Sequence, residues 1–153
     1  MCFSFDAHPP DLPRDLARPI GGGAKAEQLE LTSADGTAFS VALAGSPDGD
    51  PVGVVILPDV RGLYRFYIEL AERFAEAGHH AIAIDYFGRT AGTGERGEDF
   101  DYWPHVRETK VEQVEADAAA AADALRERTG ASAIVTVGFC FGGLQSFLAA
   151  MSP

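Results

Sequence analysis

Three short apolar runs, each followed or preceded by a stretch of helical periodicity, constrain this chain more than anything else in it. Residues 52–57, 81–84 and 133–137 read Val-Gly-Val-Val-Ile-Leu, Ala-Ile-Ala-Ile and Ala-Ile-Val-Thr-Val. Runs this short, rich in β-branched side chains and lacking polar alternation, suit strands buried on both faces. Between the first two, residues 67–78 place Leu70, Ala71, Phe74 and Ala77 on one face, with Glu69, Glu72, Arg73 and Glu76 elsewhere and Gly78 as a stop. Between the second and third, residues 108–128 align Val111, Val114, Ala118, Ala121 and Leu125, and Gly130 closes the helix. Strand and helix in alternation imply a parallel sheet with right-handed crossovers.

The flanking segments fit around that frame. Residues 27–32 and 38–43 alternate polar and apolar about a turn at Ala34-Asp35-Gly36, which describes a β-hairpin at the start of the sheet. Residues 1–24, with Pro9, Pro10, Pro13, Pro19 and a Gly21-Gly22-Gly23 end, have no periodicity and are read as an arm over the surface of a domain formed by residues 25–153. Residues 87–104 read as a long acidic, glycine-rich loop, the kind that borders binding sites.

Composition narrows the functional classes. The net charge of −11, with no cluster of Lys or Arg to track phosphates, argues against a nucleic-acid partner. No apolar stretch approaches the roughly 20 residues that span a bilayer, and the N-terminus lacks the basic-then-apolar pattern of a secretion signal, so a cytoplasmic location is expected. The two cysteines, Cys2 and Cys140, form no C-x-x-C and no metal-ligand spacing; neither a metal nor a cofactor is expected.

Chemistry concentrates where the third apolar run enters Gly138-Phe139-Cys140-Phe141-Gly142-Gly143, followed by Leu144, Phe147 and Leu148 at helical spacing. A G-x-C-x-G between a strand and a helix is the context of a nucleophile elbow: the glycines leave room for a sharp turn that strains the central residue and presents its side chain. The amide end of the following helix favours negative charge there. An oxyanion hole in this arrangement draws on the backbone N–H of Phe141 and on one from the loop after an earlier central strand, here Val60 within Pro58-Asp59-Val60-Arg61-Gly62. Asp59, at the carboxyl end of a buried strand, is expected to face the same crevice as Cys140.

Those two segments, together with Asp85-Tyr86-Phe87-Gly88-Arg89, resemble the dienelactone hydrolase family in order and spacing from about residue 52 onward. The resemblance implies an α/β-hydrolase fold, a mostly parallel sheet flanked by helices. It also implies hydrolysis of small carboxylate-bearing lactones or esters through an acyl-enzyme on a cysteine of a Cys-Asp-His triad. Cys140 matches the nucleophile. Asp59 stands where the family has a glutamate that meets the resting thiol, one methylene shorter, and Arg89 falls on an arginine taken to bind the substrate carboxylate.

One departure is large. The triad acid and histidine follow the nucleophile in the chain order of this fold, yet residues 144–153 contain no Asp, Glu or His. The domain is therefore expected to be incomplete at its C-terminal side and not competent for turnover as it stands, with residues 133–137 at an open sheet edge prone to self-association. His105 could substitute as base; His8, His79 and His80 are expected to lie away from the site. Two other readings of Cys140 remain: a thiol redox sensor, and a non-catalytic fragment that pairs through its edge. The G-x-G-x-x-G at residues 92–97 leads into acidic residues and no helix, which disfavours a dinucleotide. Phe100, Tyr102 and Trp103 are read as anchors of the long loop.

Overall fold

The hairpin forms as its alternation implies. In the computed structural model, which describes residues 3–13, 15, 25–45, 49, 51–94 and 96–151, β1 (Glu27–Thr32) and β2 (Ala38–Ala44) pair antiparallel with Leu29 opposite Val41. Gly36, at φ +84°, closes the turn between them. The three apolar runs become β3 (Val52–Leu57), β4 (His80–Ile84) and β5 (Ala133–Gly138), and the sheet order is β1-β2-β4-β3-β5. β2 meets β4 antiparallel, whereas β3 is parallel to both β4 and β5. This mixed sheet with helices on its faces is the α/β-hydrolase type of architecture expected from the sequence.

Side-chain size sorts the two faces. On one, Ala42, Ala44, Ala81 and Ala83 are small, which leaves room for Tyr64, Phe66 and Tyr67 at the start of α1 (Arg65–Glu76). On the other, Val41, Leu43, Val55, Leu57, Ile82 and Ile84 are large and meet the alanine-rich face of α4 (Val111–Thr129). Bulk opposite small residues on each side lets the layers approach closely. Residues 3–7 add to the first face: Phe3 stacks on Phe66 at 4.0 Å between ring centroids and Phe5 on Tyr64 at 5.5 Å. Among the described residues no helix is long and apolar enough to cross a membrane.

Three expectations need correction. Residues 87–104 are not structureless: α2 (Gly88–Ala91) and the start of α3 (Tyr102–Glu108) fall within them. Both helices are shorter than the window in which helical periodicity can be recognised. The helix expected from residue 108 begins at Val111, because Thr109 is extended and Lys110 starts a new helix, its backbone carbonyl accepting from the Gln113 amide at 3.1 Å while its own amide donates to the Gln113 side-chain oxygen at 3.2 Å. Third, β5 is not buried on both faces; Ala133 and Val135 are exposed. Among the described residues it has β3 on one side and no strand on the other, so its apolar composition no longer reports burial.

At β3 the chain reverses its direction of sheet growth, with β4 added on one side and β5 on the other. The carboxyl ends of strands that flank such a switch point border a crevice, and Pro58 and Cys140 both lie there.

Candidate active site

Cys140 is strained in the manner of an elbow nucleophile. Its φ of 54° and ψ of −112° make it the one non-glycine with positive φ among the described residues. It is exposed and sits immediately before α5 (Phe141–Ala149). Such a backbone persists only where its surroundings over-determine it, and they do. A Cβ on Gly138 would overlap the Gly142 backbone, and one on Gly142 would overlap the carbonyls of Leu57 and Pro58. Two hydrogen bonds sew the turn to the end of β3: Phe139 N to Leu57 O at 3.1 Å and Gly142 N to Pro58 O at 3.0 Å. The glycines thus serve close backbone approach, which composition alone could not distinguish from flexibility.

The loop after β3 is equally fixed. The peptide joining Pro58 to Asp59 is held at both ends: Tyr86 Oη donates to Pro58 O at 2.8 Å, and Asp59 N donates to Tyr67 Oη at 3.0 Å. Burial first, then the charge of Asp59, pushes the Tyr67 phenol far up; burial likewise raises Tyr86, with Tyr67, Asp85, Asp59 and Cys140 adding to it. Both hydroxyls therefore keep their protons. Asp59 is fully buried; its carboxylate accepts from the Arg61 amide at 3.0 Å, from Tyr64 Oη at 3.4 Å and more distantly from the Arg61 guanidinium. Among the described residues no acceptor is found for the amides of Val60 or Phe141.

Arg89 is placed elsewhere. Its guanidinium makes a two-bond fork with Asp117 on α4, at 2.8 and 2.9 Å, donates through Nε to Asp35 at 2.7 Å and reaches Ser33 Oγ at 3.0 Å. These contacts tie α2 to α4 and to the β1–β2 turn. β4, from which α2 springs, is separated from β5 by β3, about 10 Å at ordinary strand spacing. The structure therefore does not bring Arg89 into contact with Cys140 through any of its hydrogen bonds.

Two groups that the sequence reading left without a role organise this end of the sheet. Asp85, fully buried at the end of β4, accepts from the Leu63 and Phe87 amides and pairs with Arg96 at 2.8 Å. Arg96 also lies over the Phe100 ring at 4.8 Å. Tyr86 joins the β3 loop to the elbow, its ring edge-on to Phe141 at 5.4 Å. A signal existed for Asp85: a carboxylate ending an apolar strand needs a partner. Nothing in the spacing pointed to Arg96.

The histidines are otherwise engaged. His8 pairs with Glu69 at 2.7 Å on the outside of α1, and His80 opens β4 at the opposite end of the sheet from Cys140. His105 stacks on Phe100 at 5.1 Å and meets Phe87 at 5.8 Å. Phe100 and Tyr102 pack against the core as anchors, whereas Trp103 is half exposed.

Comparison with known proteins agrees with this fold. A protein assigned as a dienelactone hydrolase from Klebsiella pneumoniae superposes with a TM-score of 0.71 at 24% identity, over 86% of this chain and 56% of that one. The structure named m3DLH gives 0.68 at 28%, over 84% and 55%. A dienelactone hydrolase-like promiscuous phosphotriesterase, P91, from metagenomic libraries gives 0.67 at 23%, over 84% and 54%. The chain thus spans little more than half the length of these structures. No curated protein matches it. Residues 39–153 match the dienelactone hydrolase family, which takes in the elbow, the β3 loop and the core strands alike, and the chain belongs to that family.

Proposed function

We propose that this chain carries the nucleophile half of a hydrolase acting on small carboxylate-bearing esters or lactones, with Cys140 as the attacking group. The observation that carries the reading is the strained backbone of Cys140 at the strand-to-helix turn, bonded to the loop that holds Val60. The Cys140 thiolate adds to the ester carbonyl carbon, the amides of Val60 and Phe141 receive the oxyanion, and its collapse expels the alkoxide to leave a thioester. Water then cleaves the thioester, with a histidine general base that the family supplies after the nucleophile. Asp59 stands where the family's glutamate meets the resting thiol, but it is one methylene shorter and its carboxylate accepts from Arg61 and Tyr64. The relatives extend well beyond the portion covered here, which supports the expectation that the triad acid and histidine belong to a longer protein. Arg89 anchors a substrate carboxylate only by exchanging Asp35, its exposed partner, for it.

Intact mass after exposure to p-nitrophenyl acetate tests this directly, because p-nitrophenolate leaves without a general acid. A long-lived acetyl adduct on Cys140, absent from Cys140→Ala, is expected. Sulfenic acid formation on peroxide with no acetylation would instead favour the redox sensor.

Self-association through β5 belongs to the same proposal. Residues 131–153 contain no charged side chain in a chain of net charge −11. Val135, Leu144, Phe147 and Met151 are 47–68% exposed there, and an unpaired apolar edge templates further pairing. Light scattering should show species larger than 16.2 kDa, reduced by Val135→Lys; a monodisperse monomer would count against it.

A further inference from the structure

We propose that Tyr86 is a positioning residue for the oxyanion hole, locking its two contributing segments together through the Pro58 carbonyl. This rests on the reading of Cys140 as an acyl-forming nucleophile.

The two amides come from segments far apart in sequence, Val60 from the loop after β3 and Phe141 from the start of α5. Their separation must hold to within about half an ångström to receive a developing oxyanion. The Pro58 carbonyl is where the segments meet: it accepts from Gly142 N at 3.0 Å on the elbow side and from Tyr86 Oη at 2.8 Å. The Tyr86 ring is edge-on to Phe141 at 5.4 Å, so a single side chain bonds one segment and packs on the other. Tyr86 is only 3% exposed, so no solvent replaces its hydroxyl without rearrangement. The far end of the same peptide, Asp59 N, bonds Tyr67 Oη at 3.0 Å, which fixes the plane that leads into Val60. Without the Tyr86 hydroxyl, the Pro58 carbonyl keeps Gly142 N as its one donor, and the peptide is held less tightly at the end that meets the elbow.

The test separates oxyanion stabilisation from thiol reactivity. In a Cys2→Ser background, acetylation of Cys140 by p-nitrophenyl acetate passes through a tetrahedral oxyanion, while alkylation by iodoacetamide displaces iodide and needs no such hole. Tyr86→Phe keeps the ring and is expected to slow acetylation about 10-fold, a part of the 10²–10³ lost with a whole donor, leaving alkylation unchanged. Tyr67→Phe, acting on the other end of the peptide, is expected to move the same ratio in the same direction and stands in should Tyr86→Phe fail to fold. Equal slowing of both reactions would reduce Tyr86 to a structural role, and no change in either would remove it altogether. A parent chain that is alkylated but never acetylated would sink the hydrolase reading itself, an outcome distinct from the others.

Discussion

Arg96→Ala is expected to lower the unfolding free energy by about 3–5 kcal/mol, the range found when one partner of a buried ion pair is removed. The side chains of Arg96 and Asp85 are 6% and 0% exposed. Truncating the arginine therefore leaves a carboxylate in the core with no counter-charge. Asp85 cannot simply turn toward water, because its oxygens already accept the amides of Leu63 and Phe87, at 3.0 and 3.1 Å. Total stabilities of about 5–15 kcal/mol make this a large fraction. Urea unfolding measures it directly. Replacing both residues, Asp85→Asn with Arg96→Ala, should recover part of the loss, since the buried charge is then gone. The same variant should also slow acetylation of Cys140, because the Leu63 amide belongs to the loop that carries Val60. A change below about 1 kcal/mol in Arg96→Ala would show that water or another cation reaches Asp85.

That pair also marks the boundary of what the sequence makes legible. Period and composition locate β3, β4 and both crossover helices because burial on two faces selects continuous apolar runs, and burial on one selects a 3.6-residue stripe. The elbow is legible for a related reason: only glycine tolerates the approach of Gly142 to the Leu57 and Pro58 carbonyls, so the backbone demand appears as residue identity. The roles of Arg96 and Tyr86 are not legible. Each depends on where a side chain of several rotatable bonds ends once the sheet has assembled, and spacing along the chain carries no trace of it. β5 illustrates the converse error. Its composition is that of an interior strand, yet its environment is set by whatever lies beyond it in the sheet, which is a property of neighbours rather than of Ala133–Gly138.

Arg89→Ala distinguishes two roles for one side chain. If its work is to hold α2, α4 and the β1–β2 turn together, the substitution leaves Asp117, whose side chain is 1% exposed, without a partner. A loss of about 2–4 kcal/mol is expected, toward the lower end of what a broken buried pair costs because the guanidinium lies near the rim. Arg89→Lys should recover little of this, since an ammonium cannot reproduce the fork to both Asp117 oxygens. Acid supplies an independent reading. Hydrogen bonding by Arg89, ahead of the Thr37 amide, holds the Asp35 carboxyl down at about 2 from an ordinary 3.8. A carboxyl depressed by folding contributes stability above its unfolded value and loses it as pH falls toward the folded one. Wild-type protein should therefore lose this exposed, salt-screened contribution between about pH 4 and 2, and Arg89→Ala should lack that component. In a longer protein competent for turnover, a substrate-anchoring role would appear instead as a fall in kcat/KM confined to anionic esters, with neutral esters unaffected. Loss of stability with equal activity toward both substrate classes would assign Arg89 to the fold and leave recognition of the carboxylate to another cation.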